Sequence, residues 1–218
     1  MKIWIVVCGK AVHALPKRCT GTAWEEALAA EAESPIEPYT GRIMKASGRT
    51  VYAAPGRRAR ETAEQTIPDG ALRTETLLAP IPRRAWKDTE AEYPPWLWRA
   101  MARRQARSGG DRQPESRRAG IERAEALIAK LEREGRDCVL VLDGDFLTLL
   151  LDRFRLRGCA VQRSGLGRWQ PFERILVSRR EDHCGACNHN CLLANPGCSI
   201  GRDKARLLAE GRKPERRE

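Results

Sequence analysis

Apolar residues fall along this chain in two recurring patterns, short β-branched runs and stretches with helical spacing. The run Lys2–Val7 predicts a buried first strand, with the turn residue Gly9 close behind it. Thr22 to Ala30 reads as a short helix. A Pro- and Gly-containing connection from Ser34 to Gly48 leads to a second strand, Thr50 to Ala54, and Pro55-Gly56 then introduces a helix over Arg57–Thr66. Leu72 to Leu78 is a third strand. Prolines 80, 82, 94 and 95 break residues 79–95 into an irregular connection lying over the core, followed by a basic helix from Trp96 to Arg107.

Glu115 to Glu134 places Ile121, Ala124, Ile128 and Leu131 at helical spacing and predicts an amphipathic helix. Cys138–Leu142 is a second strongly apolar strand, Phe146 to Phe154 a helix, and Glu173 to Ser178 a last strand. Strands alternate with helices, which predicts a three-layer α/β/α fold around a mostly parallel sheet with right-handed crossovers. The chain divides into an α/β domain over residues 1–180 and a cysteine-rich extension over 181–218 that ends in a short basic helix from Arg202 to Ala209.

With 218 residues the chain can bury a sizeable core, ~70% of its unfolded surface. No apolar stretch approaches the ~18 to 20 residues that span a bilayer, and the run Ile3 to Val7 falls short of the about 7 to 15 residues of a signal-peptide core. A cytoplasmic location with no membrane partner is the expectation. The formal charge of +11 raises the question of nucleic acid. Only 8 of the 40 basic residues are lysine, however, and many arginines share helices with Glu and Ala, as solvated faces do. A nucleic-acid partner therefore ranks low.

The eight cysteines change the picture more. Cys184, Cys187, Cys191 and Cys198 have the spacing C-x2-C-x3-C-x6-C; Gly185 permits a tight turn, and Asn195-Pro-Gly197 swings the fourth thiolate back. Four thiolates suit tetrahedral Zn²⁺ in a closed structural site, and the same set suits an iron-sulfur cluster. His183 and His189 are candidate substitutes for one sulfur. A basic helix beside a cysteine knuckle also occurs in nucleic-acid readers, but the aromatic residues that stack on bases are missing from this segment.

The segment Val51-Tyr-Ala-Ala-Pro-Gly-Arg-Arg-Ala-Arg-Glu-Thr-Ala63 resembles a segment of the histidine-phosphatase superfamily, of the phosphoglycerate-mutase-like type, in which a strand ends in Ser-Pro and a helix opens with Arg-Ala and Thr-Ala. Met1 to Gly9 resembles that family's first strand running into Arg-His-Gly, and Val139 to Phe146 its later strand ending in His-Gly. Glu115 and Ser116 match a helix-opening pair common there. The resemblance covers roughly residues 1–180. It implies a phosphoglycerate-mutase-like fold, an active site at the C-terminal strand ends, and a phosphate-binding role for Arg58.

It also implies what is missing. The nucleophilic histidine is Cys8, the arginine before it Val7, and the often acidic residue after Gly9 is Lys10; the second histidine is Asp143, within Leu142-Asp-Gly-Asp145, and the general acid aligns near Ala79 or Pro80. Exchanging an imidazole and an arginine for Asp and Val replaces attraction for a phosphoryl group with partial repulsion. Phosphohistidine chemistry is therefore expected to be absent, leaving a pseudoenzyme with a binding or regulatory role toward a phosphorylated small molecule or protein. An enzyme with altered thiol or metal-assisted chemistry, or an iron-sulfur redox or sensing module, are the alternatives. Cys8 reads either as a structural buried thiol or as one made reactive by Lys10. Asp143 and Asp145 read either as ligand-binding carboxylates or as turn residues. His13 has no partner visible in the sequence.

Overall fold

A computed structural model of the chain describes residues 1–163, 165, 167–179 and 199–210. The strands are β1 (Lys2–Val7), β2 (Thr50–Ala53), β3 (Ala71–Thr74), β4 (Cys138–Leu142), β5 (Cys159–Arg163) and β6 (Arg174–Arg179). The helices are α1 (Gly21–Glu33), α2 (Arg57–Thr66), α3 (Pro95–Ser108), α4 (Arg117–Glu134), α5 (Gly144–Leu156) and α6 (Ser199–Ala209). Among the described residues the strands form one sheet, ordered β3-β2-β4-β1-β6-β5.

The pairings β1/β4, β2/β4 and β2/β3 are parallel, and β6 is antiparallel to both β1 and β5. Five strands thus run one way and β6 alone runs back, which makes the sheet mixed but mostly parallel. From β1 to β2 and from β2 to β3 the chain moves toward one edge; from β3 to β4 and from β4 to β5 it moves toward the other. Crossovers of one hand then place α1 and α2 on one face and α4 and α5 on the opposite face. The packing agrees, since α1 rests on α2 and α4 on α5.

Continuous apolar runs in β1 and β4 follow from burial on both faces: all five residues of β4 are buried, as are Ile3 and Ile5 to Val7 of β1. Against them pack Ala124, Leu127, Ile128 and Leu131 of α4 and Phe146, Leu150 and Phe154 of α5. Each such Leu, Ile or Phe side chain contributes about 1.5–3 kcal/mol on burial.

A second cluster lies away from the sheet. Trp24 of α1 and Trp98 of α3 stack at 6.0 Å between ring centroids, with Trp86 4.0 Å and Tyr93 5.6 Å from Trp98. The Trp98 indole N–H donates to the Cys19 carbonyl at 3.0 Å, and Cys19 and Tyr93 exchange backbone hydrogen bonds. These contacts tie the proline-broken residues 79–94 to α1 and α3.

Several boundaries differ from the sequence reading. The third strand stops at Thr74, because the buried Glu75 carboxylate accepts from the Leu77 N–H and starts a 3₁₀ turn over Thr76–Leu78. Helix α5 begins two residues earlier than expected, where Asp143 caps it. The sequence reading missed β5: its CAVQR run is short, ends in two polar residues and is only partly buried, as befits an edge strand. No helix among the described residues is long and apolar enough to cross a membrane.

Candidate functional site

In register, β1 and β4 end together, Val7 opposite Leu142, so the next residues, Cys8 and Asp143, lie side by side at the C-terminal edge of the sheet. The Cys8 N–H donates to the Leu142 carbonyl at 3.0 Å. One strand over, β2 runs through Pro55 into Gly56, whose φ of 110° is open to glycine but strained for other residues, and α2 begins there. Thr62 of α2 accepts from the Gly9 N–H at 2.9 Å and Arg58 donates to the Gly9 carbonyl at 3.2 Å. Helix α2 therefore holds the loop after β1 by both its backbone groups at Gly9. The outgoing connections of β1 and β4 lead to opposite edges of the sheet, and between them opens a cleft of about 1050 Å³.

Cys8, Lys10, Arg58, Asp143 and Asp145 all line this cleft, with His13 at the same opening, whereas Ala79 and Pro80 do not. Asp143 acts as the turn residue and also faces Arg58. Its Oδ1 caps α5 by accepting from the Asp145 N–H at 3.0 Å, while Oδ2 lies 3.7 Å from Arg58 Nη1. Gly144 between the two carboxylates packs against Trp169, whose ring lies 2.9 Å from where a Cβ would stand. The Lys10 ammonium turns to the rim and pairs with Glu37 at 2.6 Å.

Four further residues, which the sequence reading passed over, complete the site. Glu31 of α1 bridges Arg58 at 3.6 Å and Arg99 of α3 at 2.9 Å. Asp145 bridges Arg83 at 3.5 Å and Arg103 of α3 in a close ion pair. Arg83 comes from the proline-broken connection, where no local spacing marks a functional residue. Ala79 and Pro80, where the general acid aligns, carry no ionisable side chain, and the Ala79 carbonyl accepts from Arg123 at 2.6 Å.

The carboxylates do not turn the cleft against anions. Eight cationic side chains line it against four carboxylates, so the partial repulsion expected from Asp143 alone is outweighed. Moreover, Arg58 and Arg83 are incompletely satisfied: each has a buried Nε–H with no hydrogen-bond partner among the described residues, and their ion-pair contacts are long. Burial also pulls the Arg83 guanidinium below its ordinary pKa, against the opposing pull of Asp145. Buried unpaired donors on a charged group are costly and rare.

Cys8 is a different matter. Burial, and then the Asp143 carboxylate, push its thiol up to about 12 despite the opposing pull of Arg58. A thiol so raised carries almost no nucleophilic thiolate at neutral pH. Iodoacetamide at neutral pH is expected to leave Cys8 unmodified in the folded chain, as mapped by peptide mass; labelling as fast as in the denatured chain would show a reactive residue.

Of the extension, residues 199–210 are described and form α6, which covers the short helix expected from Arg202 to Ala209; Cys184, Cys187, Cys191 and Cys198, with His183 and His189, lie outside the described residues. Among the described residues no cluster of three or more His, Cys, Asp or Glu side chains is arranged to hold a metal ion.

No protein-family model matches the chain, and no curated protein matches it in sequence. Solved structures with a similar chain path include a candidate alpha-ribazole-5′-P phosphatase from Escherichia coli, at 17% identity over 71% of this chain and 79% of that one, with a TM-score of 0.44. Also similar are a phosphoserine phosphatase from Entamoeba histolytica, at 15% over 71% and 80% with a TM-score of 0.43, and a mycobacterial glucosyl-3-phosphoglycerate phosphatase, at 16% over 81% and 92% with a TM-score of 0.41.

Proposed function

We propose that the chain is a catalytically degenerate histidine-phosphatase-like protein whose cleft binds a phosphorylated ligand without transferring its phosphoryl group. The observation that carries this reading is the pair of under-satisfied guanidiniums, Arg58 and Arg83, in one cleft with an excess of cations. A phosphate offers up to three strong acceptor oxygens in the geometry a guanidinium fork prefers. Support for the family comes from the three segments that carry the resemblance: their residues Cys8, Arg58 and Asp143 meet at the ends of adjacent parallel strands although the sequence separates them widely.

The residues at hand argue for binding over chemistry. A phosphoryl acceptor needs an accessible nucleophile, and the one at the expected position is a buried thiol held protonated. The carboxylates there are already engaged, Asp143 by its cap on α5 and by Arg58, Asp145 by Arg83 and Arg103, which argues for a structural role in holding the arginines. A titration with inorganic phosphate, followed calorimetrically, tests the reading: saturable binding that weakens with added salt is expected, and heat no different from that of chloride would reject it.

The extension at residues 181–218 is proposed to hold a structural Zn²⁺ on Cys184, Cys187, Cys191 and Cys198, with an iron-sulfur cluster as the alternative. Such a closed four-thiolate site would be structural. A colourless preparation with one zinc per chain by elemental analysis fits the first; brown colour with iron and sulfide fits the second, and neither metal in stoichiometric amount would reject both.

A further inference from the structure

Helix α3 carries Trp96, Arg99, Arg103 and Arg107 at spacings of three, four and four, which place them on one face. All four line the cleft. The two middle arginines are joined to the inner pair by shared carboxylates, Arg99 to Arg58 through Glu31 and Arg103 to Arg83 through Asp145. The helix face and the strand ends therefore form a single basic wall with an indole at its end.

That indole is unlike the other five. Trp24 and Trp98 are buried, Trp86 packs on Trp98, Trp4 lies under Arg49 at 4.0 Å, and Trp169 lies under Arg163 at 3.9 Å and donates to Thr148. Trp96 is 68% exposed and has no ring or cation contact among the described residues. A rigid aromatic plane left bare beside phosphate-binding groups is what a stacked base requires.

We propose that the phosphorylated ligand of this cleft is a nucleoside polyphosphate, its base stacked on Trp96 and its phosphates on the arginines. The inference rests on the anion-binding reading above and adds the ligand class. Along the helix axis Arg99 stands about 4.5 Å and Arg103 about 10.5 Å from Trp96, so both long side chains start within two turns of the indole, on the face that lines the cleft. A sugar phosphate would leave the indole in water and much of the 1050 Å³ unfilled. Arg107, which has no ion pair among the described residues, lies one further turn along the same face and adds to the positive field over the cleft.

Titrations of the full chain with ATP, inorganic triphosphate and a short single-stranded oligonucleotide, in magnesium-free buffer, test this. ATP is expected to bind about tenfold or more tightly than triphosphate, and Trp96→Ala, at an exposed position, to erase that difference while leaving triphosphate affinity unchanged. Equal affinities for ATP and triphosphate in the wild-type chain, or an equal loss of both in the variant, would overturn the base-stacking proposal and leave the anion site standing. An oligonucleotide that outcompetes ATP would also overturn it, in favour of a strand-binding surface. Binding of none of the three would remove the anion-binding reading as well.

Discussion

Arg58→Ala is expected to lower phosphate affinity by about tenfold to a hundredfold without unfolding the chain. Hydrogen bonds to a charged group contribute about 1.5–3 kcal/mol, and one decade of affinity corresponds to about 1.4 kcal/mol. The remaining structure tolerates the loss: Glu31 keeps Arg99 at 2.9 Å, Asp143 keeps its cap on α5, and Thr62 still accepts from Gly9. Arg58→Lys is expected to fall between the two, since an ammonium keeps the charge but loses the planar fork. Calorimetry with inorganic phosphate reads the affinity and circular dichroism the fold. An unchanged affinity in a folded Arg58→Ala protein would mean that phosphate binds elsewhere.

Trp98→Ala is expected to have the largest effect on stability, about 3–5 kcal/mol, in the range of large-to-small changes in a core. The side chain is fully buried, stacks on Trp24, packs at a tilt against Trp86, meets Tyr93 edge-on, and donates to the Cys19 carbonyl. Its loss acts on the site as well. Residues 84 and 85 are held by Gln113, Glu25 and Arg112, and the aromatic cluster packs beneath them, so Arg83 reaches Asp145 from a segment that depends on Trp98. Denaturant unfolding should show the lower stability, and phosphate titration under native conditions a weaker affinity. A loss under about 1 kcal/mol would mean that residues 79–94 do not rest on this cluster.

The parts of the fold legible in the sequence are those whose signal is local. Lys2–Val7 and Cys138–Leu142 are apolar without interruption because both faces are covered, and Pro55-Gly56 marks the entry to α2 because Gly56 stands at φ 110°. β5 escaped because an edge strand beside a loop needs neither a long run nor strict alternation, and CAVQR shows neither. In the site, Cys8, Arg58 and Asp143 were legible through the segments that carry the family resemblance, and Asp145 as the second carboxylate of the turn after β4. Glu31, Arg83, Arg99 and Arg103 were not: their pairings join residues 27 to 68 positions apart, and basic helical residues read as solvated faces. Those long-range pairs decide the sign of the field in the cleft.

Release of inorganic phosphate from a generic phosphomonoester incubated with the purified full chain is the most direct measurement of the central claim, that this cleft holds phosphate but has no group able to take up the phosphoryl. The expected result is no release above the uncatalysed rate, with the ester still competing against phosphate for binding. Steady release that disappears in Arg58→Ala and in His13→Ala would contradict it, because it would place a working imidazole beside the phosphate.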